Sequence, residues 1–128
     1  MPNAAAFDSS AVLAVIYQER GTEAIIDLLR GGLLSTLSLT EMQTKLILDG
    51  ASAEFAWNRI LSMGCEICHY DEEQAGLAAE MIWTTRPFGL SLGDRACLAL
   101  AIQRKAKVYT ADKNWQRLSL GIEIEVIR

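Results

Sequence analysis

SLGDRACLALA, residues 91–101, opens on a serine, carries an aspartate three places later and then turns apolar, with Ala96, Cys97, Leu98, Leu100 and Ala101 giving it the character of a buried helix. Capping alone accounts for Asp94. In a Ser91-x-x-Asp94 box the two side chains satisfy free N–H groups of the first turn, and the carboxylate complements the positive end of the helix dipole. A helix this apolar has to be covered by other elements, and the sequence on either side says which.

Upstream, the apolar run AAAF (residues 4–7) ends at Asp8 and passes into SSAVLAVIYQ (9–18), which has helical spacing and breaks at Gly21 before TEAIIDLLR (22–30) resumes a helix. GLLSTL (32–37) reads as a strand, SLTEMQTKLILDG (38–50) and SAEFAWNRILSMG (52–64) as helices stopped by glycine, and CEICHY (65–70) as a strand. DEEQAGLAAEMIWTT (71–85) reads as one helix with Leu77, Met81 and Ile82 on a shared face, and RPFGL (86–90) as the loop into the opening stretch. Beyond it come a strand KVYT (107–110), a short helix in DKNWQRL (112–118) and a last strand in IEIEVI (122–127). Strands separated by helices, without hairpin signals such as Asn-Gly, predict an α/β fold: a central parallel sheet of about five strands with helices on both faces. No linker, repeat or low-complexity stretch divides residues 1–128, so a single domain is expected.

Composition narrows the function. At 51% hydrophobic and 22% charged the chain is too apolar for disorder, and a net charge of -4 argues against a binder that holds nucleic acid by surface charge alone. An enzyme that meets phosphates through bound metal ions needs no basic surface. MPNAAAF has no charged segment ahead of a long apolar one, and no run approaches the roughly 18 apolar residues of a membrane span, so a cytoplasmic protein without membrane contact is expected. Three cysteines, Cys65, Cys68 and Cys97, suit a reducing compartment. CEICH matches the C-x-x-C-H pattern of haem attachment, but on a strand positions 65 and 68 face opposite ways; zinc would need a fourth ligand, and His69 is the only histidine. No haem is expected, and Cys65 and Cys68 are read as small buried hydrophobes.

The acids fall into a pattern of their own. Asp8 follows the first strand, Glu41 stands three residues past Ser38 after the second, Asp94 opens the core helix and Asp112 follows KVYT. Capping explains each singly, Glu41 through a second Ser38-x-x-Glu41 box. In an open parallel sheet, however, all strand C-termini share one edge, where ligands bind, so the four carboxylates are expected to converge. Gathered carboxylates repel unless cations neutralise them, and oxygen ligands select Mg²⁺ or Mn²⁺, ions that can activate water against a phosphodiester.

With those four blocks in order, the sequence resembles the PIN-domain ribonucleases, and among them the VapC-type toxins of toxin–antitoxin pairs. FDSSAVLAV looks like the family's opening Asp-x-Ser-Ala block, STLSLTEMQTKL like its Ser/Thr-x-x-Glu helix, GLSLGDRACLALA like its third-acid helix and VYTADKNWQRL like its closing Thr-x-Asp block. The resemblance implies an RNA-cleaving enzyme with Asp8, Glu41, Asp94 and Asp112 as metal-site acids, Asp8 and Asp94 being direct ligands, with Ser9 and Thr110 in support. It further implies a homodimer and a cognate antitoxin that covers the site. Two features depart from the family: AAAF is a weak β-former for a first strand, and position 95, often small in relatives, is Arg95. Arg95 either contacts RNA phosphate or is a solvated helix residue; Arg86, Lys45, Lys113 and Arg117 are candidate substrate contacts or ordinary surface charge. Trp57, Trp83 and Trp115 are read as core residues rather than base-stacking ones. Two alternatives stand beside the ribonuclease: a PIN-like binding module without catalysis, and a receiver-like signalling module. The latter needs a pair of acids after the first strand, where this chain has Asp8 followed by Ser9 and Ser10.

Overall fold

Three alanines and a phenylalanine make a poor strand by themselves, and β1 (Ala5–Phe7) is indeed three residues long; its neighbours hold it in place. In the computed structural model, which describes residues 4–128, β1 lies at the centre of a five-stranded sheet with β2 (Leu33–Ser35), β3 (Glu66–Cys68), β4 (Lys107–Thr110) and β5 (Ile124–Val126). The reading of Met1 to Asn3 as free of a charged leader lies outside the described residues. The order is β3-β2-β1-β4-β5 and every pairing is parallel. A receiver-type sheet runs 2-1-3-4-5, so the signalling alternative does not match the topology.

Register and the two-residue strand period sort the core. Ala6 pairs with Leu33 and Val108, and these three face one layer with α7 (Leu92–Arg104) and α5 (Glu72–Glu80). Phe7, Leu34 and Tyr109 face the other, against α1 (Ser9–Ile16), α2 (Glu23–Leu29), α3 (Thr36–Leu48) and α4 (Ala53–Leu61). Phe7 and Tyr109 stack at 5.3 Å between centroids, and Gly32 is needed beside them because a Cβ there would collide with the Phe7 ring. Helix α7 explains its own composition: it packs on β1, β2, β4, α3 and α5 at once, so residues 96–101 are all buried and no polar face remains along that run. Cys65 packs in one layer and Cys68 in the other, unlinked.

Four local expectations are corrected. Helix α3 starts at Thr36, because β2 ends early and the Ser35 hydroxyl accepts the Leu37 N–H at 3.2 Å; Ser38 is buried inside the helix with its hydroxyl unpartnered, so it forms no capping box with Glu41. The single helix expected over 71–85 breaks at Met81, whose backbone leaves helical ψ as its side chain enters the core, and α6 (Ile82–Thr85) follows. The segment after Asp112 is a 3-10 turn, Lys113–Arg117. Of the three tryptophans only Trp115 is a core residue, at 0% exposure, against 37% for Trp57 and 76% for Trp83. Among the described residues, no helix is long and apolar enough to cross a membrane.

A candidate active site at the strand ends

Because all five strands run the same way, the residues after β1, β2 and β4 lie along one edge of the sheet, and α7, which returns the chain to the start of β4, begins at that same edge. Asp8 is the N-cap of α1: its Oδ1 accepts the Ala11 N–H at 2.8 Å, and Thr110 at the end of β4 donates its hydroxyl to Oδ2 at 2.6 Å. The Ser10 hydroxyl lies 2.8 Å from both carboxylate oxygens and accepts the Ala111 N–H at 2.9 Å, while Thr110 accepts the Asp112 N–H at 3.0 Å. Two hydroxyls thus tie the end of β1 to the end of β4 and fix the Asp8 carboxylate between them.

Glu41 lies in the second turn of α3 and is half-buried. Its Oε1 accepts from Ser9 at 3.2 Å and its Oε2 from Ser91 at 3.3 Å, so it bridges the starts of α1 and α7. Gly93 makes room for it: a Cβ there would collide with the Glu41 carboxylate. Asp94 completes the capping box expected from sequence, with the Ser91 N–H donating to Oδ2 at 2.9 Å and the Asp94 N–H donating to the Ser91 hydroxyl at 3.1 Å. Asp112, also half-buried, caps the last 3-10 turn through the Asn114 N–H at 2.9 Å.

The charges of these residues reach one another. Burial pushes Asp8 up to about 6 against hydrogen bonds from Thr110, Ala11 and Ser10, and the Asp94 charge adds to the rise. Glu41 is raised by burial and then by Asp94; Asp94 is raised by burial, with Asp112 contributing. Cys97, fully buried in α7, is held far above the ordinary thiol range by burial and by the fields of Asp8, Asp94 and Glu41. Among the described residues no salt bridge includes any of the four acids, and the shifts of Asp8, Glu41 and Asp94 have no basic side chain among their causes. Such a set, oxygen donors carrying uncompensated charge, fits a hard divalent cation by its chemistry. Among the described residues no three Asp, Glu, His or Cys side chains are arranged to hold one ion, each carboxylate here being turned to its own hydroxyl or amide. A hollow of about 510 Å³ lined by Val15, Asp27, Leu29, Arg30, Arg59 and Met63 includes none of Asp8, Glu41, Asp94 and Asp112.

The expected cations scatter. Arg95, half-buried, donates through Nη1 to the Ala78 carbonyl of α5 at 3.0 Å, so it is not a freely solvated helix residue. Lys45 pairs with Asp49 at 3.2 Å one turn along α3. Lys113 and Arg117 are exposed on the turn that Asp112 caps, and Arg86 lies over the Trp83 ring. Sequence reasoning passed over Ser10, the Ser91 contact to Glu41, and Gly93. For Ser10 a signal was present, a second serine directly after the N-cap aspartate and its neighbour; for Gly93 the only signal was a glycine in the first turn of a core helix.

A family model described as the PIN domain matches residues 5–120. No curated protein sequence matches the chain. Among solved structures, a chain of VapBC2 from Rickettsia felis, bound to a DNA fragment from its promoter, superposes with a TM-score of 0.74 at 16% identity, covering 98% of this chain and 99% of that one. The DNA-bound VapBC of Salmonella typhimurium gives 0.74 at 16% identity, with 99% and 100% covered. VapBC-5 from Mycobacterium tuberculosis, a member of the VapBC family of toxin-antitoxin systems, gives 0.63 at 20% identity, with 99% of each chain covered.

Proposed function

Because this chain belongs to the PIN-domain family, we propose that it is a metal-dependent ribonuclease of the VapC type, a toxin that hydrolyses RNA phosphodiester bonds at Asp8, Glu41, Asp94 and Asp112 and is silenced by a cognate antitoxin. The observation that carries this reading is Asp8, a carboxylate only 2% exposed that lies in the field of Asp94 and has no basic partner among the described residues. Burying such a charge is costly, and a cation shared with neighbouring acids offsets the cost. Asp8 and Asp94 would be the direct ligands of Mg²⁺ or Mn²⁺, with Glu41 and Asp112 completing the set. The chemistry such an ion supplies when bound is neutralisation of charge on the phosphodiester and acidification of a water.

The chain's own residues supply the rest. Thr110 and Ser10 hold the Asp8 oxygens, so the ligand is oriented before anything binds. Ser9 and Ser91 hold Glu41, whose raised carboxyl is suited to accept the proton of an attacking water at Oε1 or Oε2. Asp94 spends Oδ2 on the capping box; among the described residues no hydrogen bond engages Oδ1, the oxygen available to a ligand. Exposed Lys113, directly after Asp112, and Arg117, at the end of the same 3-10 turn, would meet RNA phosphate. A homodimer, a cytoplasmic location and an antitoxin partner belong to the same reading; the VapBC complexes that share the fold support the partner.

One observation favours a second reading, a PIN-like module that binds without cutting: each acid already has donors of its own, and among the described residues no three are arranged around one ion. Incubating the purified chain with single-stranded and structured RNAs in Mg²⁺ or Mn²⁺ separates the two. The expected result is cleavage that EDTA and Asp8→Asn both abolish. Metal binding without cleavage of any RNA overturns the ribonuclease and leaves the binding module.

A further inference from the structure

The connection from α6 to α7 carries a tryptophan that the core does not use. Trp83 is 76% exposed, and the Arg86 guanidinium carbon stands 5.8 Å from its ring centroid. Among the described residues Arg86 joins no salt bridge, although acids outnumber bases in the chain by 16 to 12. Beneath the pair the chain is anchored: Thr85 is fully buried and donates its hydroxyl to the Met81 carbonyl at 2.9 Å, and the Leu90 N–H closes the turn on the Thr85 carbonyl at 3.5 Å. The next residue, Ser91, is bonded to Glu41. One closed turn therefore has the aromatic–cation pair on its first limb and a contact to the acid site on its second.

A single exposed apolar side chain is ordinary. An indole under an unpaired guanidinium is a different surface, since it offers a flat face and a fixed positive charge together. A nucleobase with its phosphate matches both, base on ring and phosphate on guanidinium, whereas an apolar protein side chain would use the ring and leave the cation without a partner. Bases of a duplex are already stacked within it and cannot be offered in this way. We propose that Trp83 and Arg86 form a stacking platform for one unpaired base flanking the cleaved bond. The proposal takes its substrate from the ribonuclease reading and deepens it.

Trp83 emission provides the test, in the full-length chain with Asp8→Asn so that RNA stays intact. A single-stranded RNA oligonucleotide quenches the fluorescence, the same strand in a duplex does not, and the quench disappears in Trp83→Phe. Arg86→Ala weakens the single-strand affinity about tenfold, as does Trp83→Ala. In the otherwise unaltered chain, Trp83→Ala raises KM by about the same factor and leaves kcat unchanged, and Trp83→Phe recovers most of the loss, a split that misfolding would not give. Absence of quenching by any single strand, a Trp83→Ala variant with the original KM, or a variant whose main change is in oligomeric state by sedimentation overturns the platform. Should the unaltered chain cut no RNA while single strands still quench Trp83, the ribonuclease reading fails and the platform stands; cleavage with a silent Trp83 gives the reverse.

Discussion

Burial lifts Asp8 to about 6 because a carboxylate withdrawn from water prefers its proton, and the hydrogen bonds from Thr110, Ala11 and Ser10 recover only part of that preference. The unfolded chain titrates near 3.9, so the folded one binds the proton more tightly; without metal, this stabilisation is complete below about pH 4, is lost as pH rises through about 6 and is gone above it. Two units amount to roughly 3 kcal/mol. In EDTA, Asp8→Asn should therefore melt several degrees above the unaltered chain at pH 8 and converge with it at pH 4, followed by circular dichroism. The asparagine amide can still accept from Ala11 as an N-cap, which keeps the comparison clean. Equal melting at pH 8 would mean that Asp8 carries no uncompensated charge. Asp94 was legible at this scale because a capping box is local, and cap and cluster prove compatible: the box uses one oxygen of two. Arg95 was not legible, since its partner Ala78 lies 17 residues away on another helix.

Elements set which acids can meet. The sequence placed α3, α7 and their glycine or serine boundaries within a few residues, yet misjudged where β2 hands over to α3, because Leu33, Leu34 and Leu37 are apolar on either side of the boundary and only the Ser35 cap decides it. That handover matters: with Ser35 as the cap, Glu41 is an interior helix residue free to reach across to α7. Gly93 in the first turn of α7 is what admits it. Gly93→Ala should gain up to about 1 kcal/mol of helix propensity and melt at or above the unaltered chain in EDTA. It should nevertheless lose Mn²⁺ affinity and RNA cleavage, because the new methyl displaces the Glu41 carboxylate. A Gly93→Ala variant that cuts RNA as well as the parent would remove Glu41 from the site.

Across the whole molecule, alternation of strands and helices was enough to predict a parallel sheet and hence one shared edge for the acids. The strand order β3-β2-β1-β4-β5 was not readable, since a strand of three residues carries too little pattern to name its neighbours, and β1 owes its central position to pairing on both sides. The surface was least legible: Trp83 reads as core by composition, yet it is exposed to water on the short helix that follows Met81. The central claim is that acids from four separate segments form one divalent cation site, and calorimetric titration with Mn²⁺ tests it most directly. The account predicts saturable binding by the unaltered chain, competed by Mg²⁺, weakened by each of Asp8→Asn and Asp94→Asn. Binding that both variants retain at full strength, or no binding at all, would contradict it.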